Sequence, residues 1–208
     1  MGVHWRTDKV NGVTFEGIDN FIVLSENPCN KYLEYLQEWF GTKELYYRFL
    51  YYLILYTRPK VCLEIGIENG VASAHMCAAA KHYEGRIIGV DIRKPPFDLT
   101  SPYGNYNFIH LDSANAGSWV KAITDNYGKI GVVFQDSSHH YKRSCVEWNI
   151  YSEFLDKNAV WVCDDITEDF YRSGLDEKSM VGYFEERPGK KRVYDNLHKG
   201  SKVGVILL

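Results

Sequence analysis

No apolar run in this 208-residue sequence is long enough to cross a bilayer. The most apolar stretch, Phe49 to Thr57, is nine residues between Arg48 and Arg58, and reads as a buried or interface helix. The first residues, MGVHWRTDKV, contain no apolar core of a secretory leader, so a cytoplasmic protein with no membrane partner is expected. Charge of one sign is also lacking. Lys and Arg total 24, Asp and Glu total 27, and the formal net charge is −3. With no polybasic stripe, nucleic acid is not an expected partner. Cysteine is sparse and odd in number: Cys29, Cys62, Cys77, Cys145 and Cys163, with no C-x-x-C and no close Cys/His spacing. Buried reduced thiols are expected rather than a disulfide framework or a zinc site. There is no internal repeat and no low-complexity tract.

The composition is ordinary for a globular chain, at 45% hydrophobic and 25% charged, and the length suits one domain with a small appendage. Aromatics are abundant, with 16 Tyr, 10 Phe and 5 Trp. The pattern changes near residue 60. Beyond it, short Val- and Ile-rich runs recur at Lys60 to Ile65, Arg86 to Val90, Tyr106 to Leu111, Ile130 to Phe134 and Ala159 to Cys163. Continuous apolar runs of this length fit strands covered on both faces. Segments with helical spacing lie between them: Val71 to Tyr83, Ala114 to Tyr127 and His140 to Leu155. Such alternation predicts an α/β fold, a doubly wound, mostly parallel seven-stranded sheet with helices on both sides. Lys191 to Tyr194 and Val203 to Leu208 are read as a closing pair that adds an antiparallel C-terminal edge strand. Residues 1–57 form an N-terminal helical segment, with helices over Lys31 to Phe40 and Thr42 to Tyr56; residues 58–208 form the main domain. The N-terminal segment is either a lid over the ligand edge of the sheet or a layer packed on its outside. The surplus apolar face of Tyr46 to Tyr56 would suit a homo-oligomer contact.

Ligands of open α/β sheets bind beyond the carboxyl ends of the strands, so chemistry is sought there. The first strand ends in Glu64-Ile65-Gly66-Ile67-Glu68-Asn69-Gly70 and a helix follows. Gly66 and Gly70 permit a tight turn and close backbone approach at a helix N-terminus. The spacing is E-x-G-x-x-x-G, not the G-x-G-x-x-G that fits a pyrophosphate. The second strand ends in Asp91, twenty-one residues after Gly70, where a carboxylate can accept ribose hydroxyls. The third ends in His110-Leu111-Asp112-Ser113, with Asp112 placed for an exocyclic amine.

The fourth strand runs into Gln135-Asp136-Ser137-Ser138-His139-His140 and the fifth into Cys163-Asp164-Asp165. Three carboxylates at adjacent tips repel one another unless a hard divalent cation joins them, and oxygen donors suit Mg²⁺. The plain alternative is that Asp136 caps the helix near His140 and Asp165 one near Glu168. That leaves the Asp164-Asp165 doublet unexplained. His139, three residues after Asp136, could take a proton from a substrate hydroxyl; it could equally be a hydrogen-bonded loop residue. His75 and His82 are read as structural.

The first constellation resembles the class I S-adenosylmethionine-dependent methyltransferases, whose first motif is an acid followed by G-x-x-x-G. The resemblance implies that Glu64, Gly66 and Gly70 surround the methionine part of the cofactor, Asp91 the ribose, and Asp112 with Ser113 the adenine. The second constellation resembles the Mg²⁺-dependent macrocin/mycinamicin sugar O-methyltransferases and the cephalosporin-hydroxylase-like group. It implies Asp136, Asp164 and Asp165 as metal ligands, His139 as catalytic base, and a small-molecule hydroxyl substrate with vicinal oxygens. Asp164 departs from the glutamate common in the sugar enzymes. Catechol O-methyltransferase shares the metal logic but carries lysine where this chain has His139. The resemblance spans roughly residues 58–170. A nicotinamide-dependent oxidoreductase, an aminopropyltransferase and a non-catalytic nucleoside-binding protein share enough of the layout to stand as alternatives.

Overall fold

The computed structural model describes residues 12–26, 45–96, 98, 100–167, 178–198 and 201–208. Helices α1 (Phe15–Glu26) and α2 (Leu45–Thr57) precede the sheet. Then come β1 (Val61–Ile65), α3 (Val71–Ala80), β2 (Arg86–Asp91), α4 (Thr100–Tyr103), β3 (Tyr106–His110), α5 (Gly117–Tyr127), β4 (Ile130–Gln135), α6 (Tyr141–Tyr151), β5 (Leu155–Cys163), α7 (Met180–Glu186), β6 (Lys190–His198) and β7 (Ser201–Leu207). The sheet has seven strands in the order β3-β2-β1-β4-β5-β7-β6. The first five are parallel, and β7 runs antiparallel between β5 and β6. This is a Rossmann-like methyltransferase architecture.

The period-two alternation of strand side chains separates two cores. Cys62, Ile87, Val132, Phe134, Val160, Val162, Val203 and Val205 face α1, α2 and α3. Val61, Leu63, Ile65, Ile88, Val90, Val133, Trp161, Cys163 and Ile206 face α5, α6 and α7. Helix α3 is Ala-rich and buried along its whole length, which lets α2 and the sheet approach it from two sides.

Several boundaries differ from expectation. The sixth helix stops at Tyr151, passes through a 3₁₀ turn at Ser152–Phe154, and β5 already begins at Leu155, pairing with Ile130. The closing strands are longer than their apolar runs, because β6 is an edge strand whose polar residues face water while its backbone still pairs. Helix α1 was not expected; it is docked onto β6, where Tyr194 Oη donates to Asp19 at 2.9 Å and Arg192 pairs with the same carboxylate. The expected helix over Lys31 to Phe40 lies outside the described residues. Tyr46 and Phe49 to Leu55 are buried within the chain's own core. The aromatic helix packs on one face of the sheet beside α3.

Candidate active site

The strand tips are tied together beyond the regular ladder. Gly66 N donates to Val90 O at 2.9 Å, Asp136 N to Ile65 O at 2.8 Å and Asp164 N to Gln135 O at 2.9 Å. These bonds hold the turns after β1, β4 and β5 side by side. Gly66 (φ 87°) and Gly70 (φ 76°) occupy the left-handed region that glycine enters without cost, and Gly70 opens α3.

Around the β1 turn, Glu64 is buried and accepts from Ser73 Oγ; Tyr106 Oη lies 3.3 Å from the same hydroxyl. Burial pushes the Glu64 carboxyl well above the ordinary carboxylate range, against the lowering effect of the Ser73 bond. Asp91 Oδ2 accepts from Ile67 N at 2.7 Å and Glu68 N at 3.0 Å, and Oδ1 from Arg93 N at 2.7 Å. Asp91 thus braces the glycine turn as well as standing at the β2 tip. Asp112 lies farther along the same edge. Its Oδ1 accepts from Ala114 N at 2.8 Å and from Arg143, whose guanidinium holds the carboxyl below its usual range. Ser113 points away from the edge: its Oγ donates to Glu147 at 2.6 Å.

At the other end, His139 sits between two carboxylates, with Nε2 3.0 Å from Asp136 Oδ1 and Nδ1 3.1 Å from Asp165 Oδ2. His139 and Asp165 both have left-handed backbones, φ 53° and 50°, which is uncommon outside glycine and marks turns held by their surroundings. Burial pushes the His139 imidazole down, but the hydrogen bonds and charges of Asp136 and Asp165 outweigh it and raise the pKa to about 9. Burial raises Asp136, opposed by His139. Asp136, His139 and Asp164 each offer a ligand atom within 4.8 Å of the others. The grouping contains two of the three acids expected as ligands and adds His139, while Asp165 touches the far nitrogen of the same ring. Asp136 does not cap α6, whose N-cap is His140 with no side-chain bond. The proposed Asp165 cap would fall on residues outside the described set.

Sequence reading missed Arg143, Glu147, Gln135 and Ser137. Arg143 and Glu147 are four apart on α6, and Glu147 is fully buried on the face that carries Ser144, Trp148 and Tyr151. A charged residue on an otherwise inward-facing stripe was the available signal.

A family model described as a methyltransferase domain matches residues 63–166, half of the chain. The chain belongs to this methyltransferase family. Its glycine turn and acidic strand tips all lie within or beside the matched segment, and the nicotinamide-dependent and aminopropyl-transferring alternatives fall away. No functionally curated protein matches the methyltransferase in sequence. Among solved structures, it is similar to an O-methyltransferase from Bacillus cereus in complex with SAH, with a TM-score of 0.63 at 11% identity over 92% of this chain and 100% of that one. It is similar to MycE of the mycinamycin biosynthetic pathway, in complex with Mg and SAH, with a TM-score of 0.61 at 16% identity over 99% of this chain and 67% of that one. It is also similar to TomG from Streptomyces achromogenes, an O-methyltransferase of tomaymycin synthesis in complex with SAM, with a TM-score of 0.59 at 12% identity over 96% and 92% of the two chains. At these identities the likeness is one of fold. None of the methyltransferase's helices among the described residues is long and apolar enough to cross a membrane.

Proposed function

We propose that this methyltransferase moves a methyl group from S-adenosylmethionine to a hydroxyl of a small molecule with vicinal oxygens, in a Mg²⁺-dependent reaction. The observation that carries the reading is the convergence of Asp136, His139 and Asp164 within 4.8 Å, beside the glycine turn that starts α3. The fit to a hard cation rests on the donor set: carboxylate oxygens from two adjacent strand tips, with a third carboxylate one contact away through His139. Asp136, Asp164 and Asp165 would hold the metal. When bound, it would acidify an acceptor hydroxyl. S-adenosylmethionine supplies an electrophilic methyl group on a positively charged sulfur.

The remaining work belongs to the chain's own residues. Glu64, Gly66 and Gly70 shape the β1 turn against the methionine part, with the buried Glu64 carboxyl bonded to Ser73. Asp91 offers its remaining lone pair to the ribose while its amide contacts fix the turn. Asp112, with Ser113 behind it, faces the adenine end. His139 accepts the acceptor's proton once Asp136 and Asp165 are engaged by other partners, because a ring held charged between them cannot act as a base. Transfer from a sulfonium to an oxygen neutralises charge, so alignment and water exclusion are the main contributions of the sheet edge. MycE, solved with Mg, SAH and mycinamycin VI, supports testing sugar hydroxyls as acceptors beside catechols. The free thiols Cys62, Cys77, Cys145 and Cys163 fit a reducing cytoplasm. The deciding experiment offers labelled S-adenosylmethionine with a panel of catechols and glycosides, with Mg²⁺ or with EDTA. Label on an acceptor oxygen only with Mg²⁺ supports the reading; transfer undiminished in EDTA overturns its metal part.

A further inference from the structure

Glu147 lies outside both residue sets discussed above, yet it binds the two ends of the site at once. Its side chain is completely buried. Oε1 accepts from Ser113 Oγ at 2.6 Å and from Arg143 Nε at 3.4 Å. Oε2 accepts from Gln135 Nε2 at 2.7 Å and from Ser137 Oγ at 2.8 Å. Ser113 opens the turn after β3, whereas Ser137 lies in the turn that carries Asp136 and His139. In the sheet, β2 and β1 intervene between β3 and β4. Three inter-strand steps of about 4.8 Å would keep the two turns far apart. They meet because α6 crosses beneath the edge and presents one carboxylate to both.

The supporting contacts leave this carboxylate little choice of partner. Gln135 Oε1 accepts from Trp161 Nε1 at 3.0 Å and Tyr183 Oη at 2.9 Å, so its amide nitrogen is the end that faces Glu147. Tyr151 Oη donates to Ser113 O at 2.5 Å. Arg143 Nη2 donates to Ser113 Oγ at 2.8 Å and to the Asp112 carboxylate. The serine and arginine branches reach residues of the candidate site, Asp112 and Ser113 on one side and Ser137, between Asp136 and His139, on the other, while the Gln135 branch anchors the carboxylate to Trp161 and Tyr183 in the core. A buried ion pair is weak evidence for stability, since apolar replacements are often neutral. What this one supplies is a fixed spacing between two turns.

We propose that Glu147 is a positioning residue that sets the turns after β3 and β4 from a single buried carboxylate, acting through Ser113 and Ser137. On the reading given above, on which this inference rests, those turns are the methyl-donor end and the acceptor end.

Hydrogen exchange and calorimetry test it together. Glu147→Gln keeps the shape but puts an NH₂ donor among four donors, so at least one contact is lost. Exchange should quicken about tenfold, the equivalent of one lost hydrogen bond, in both residues 110–116 and residues 135–141. Ser113→Ala should loosen only the first segment and Ser137→Ala only the second. A core variant with a matched loss of Tm, Val120→Ala, should show neither local effect. S-adenosylhomocysteine should bind about tenfold more weakly to Glu147→Gln and Ser113→Ala and unchanged to Ser137→Ala. Wild-type exchange in either segment of Glu147→Gln, or the same loosening in Val120→Ala, overturns the proposal. If Glu147→Gln does not fold, the two serine variants decide it, and an absence of local loosening in both overturns it. Wild-type protein that does not bind S-adenosylhomocysteine but keeps the exchange pattern refutes the donor reading while supporting the positioning role.

Discussion

Gly66 and Asp136 approach so closely that a Cβ on Gly66 would lie 2.0 Å from the Asp136 carbonyl oxygen. The turns after β1 and β4 are therefore packed backbone to backbone, and any side chain at residue 66 must push them apart. Gly66→Ala meets this clash and a φ of 87° that alanine resists. The expected cost is roughly 2 kcal/mol or more of stability, read as a lower urea midpoint. Because the displaced atoms belong to the residue before Ser137 and His139, methyl transfer should fall further than the folded fraction does. A variant as stable and as active as wild type would show that the two turns are not held by this contact.

A second expectation concerns the acidic cluster. EDTA should abolish methyl transfer and leave S-adenosylhomocysteine binding largely intact. Asp136→Asn and Asp165→Asn should behave alike, with partial rescue by added Mg²⁺. His139→Ala should lower the rate by roughly 10²- to 10⁴-fold, the usual size of a lost general base, with residual activity rising with pH as hydroxide substitutes. Variants that only lower Tm while the metal dependence is unchanged would mean that the acids and His139 are structural.

A third concerns Asp91, whose carboxylate accepts three backbone amides. Asp91→Ala removes the proposed ribose partner and the brace of the glycine turn together. S-adenosylhomocysteine binding should weaken at least tenfold, about 1.4 kcal/mol, with a measurable loss of Tm. Asp91→Asn keeps a side-chain oxygen for the amides and should separate the two effects, recovering more stability than affinity. Unchanged calorimetric affinity in both variants would remove Asp91 from the site.

The strand tips were legible because each carries its own punctuation: Glu64-x-Gly66, Asp91, Asp112, Asp136 and the Asp164-Asp165 doublet each follow a short Val/Ile run. Parallel topology then places all of them on one edge. What sequence spacing does not carry is the pairing of side chains across that edge. The clasp of His139 by Asp136 and Asp165 depends on two left-handed backbones, φ 53° and 50°, in residues that do not announce them. The burial of Glu147 depends on which face of α6 meets the sheet, and a helix whose apolar residues fall three and four apart does not reveal that one inward position is acidic. Helix α1 was missed because its anchors, Arg192 and Tyr194, lie more than 170 residues away along the chain.

The last prediction uses a histidine that the chemistry does not. His75 is fully buried in α3, with Nδ1–H donating to Val71 O at 2.8 Å and its ring stacked on Tyr47 at 5.4 Å between centroids. Burial lowers its pKa from 6.5 to about 4, only partly offset by the Val71 bond. In the unfolded chain the same imidazole titrates near 6.5, so between the two values the unfolded state binds the extra proton. A depressed folded pKa gives stability that is present above pH 6.5 and is lost as pH falls toward and through 4. The full difference is on the order of 3 kcal/mol. Glu64 works in the opposite direction, because its raised pKa makes the folded state bind a proton more readily, so the acid limb of the wild type is a composite. The contribution of His75 is isolated by difference. His75→Leu keeps an apolar side chain of similar bulk in the same space and removes the titration. Urea midpoints at pH 7 should differ little between the two proteins. At pH 4.5 the variant should be the more stable one, with a shallower loss between pH 6.5 and 4.5. Parallel stability curves over that range would show that His75 is not held neutral in the folded protein.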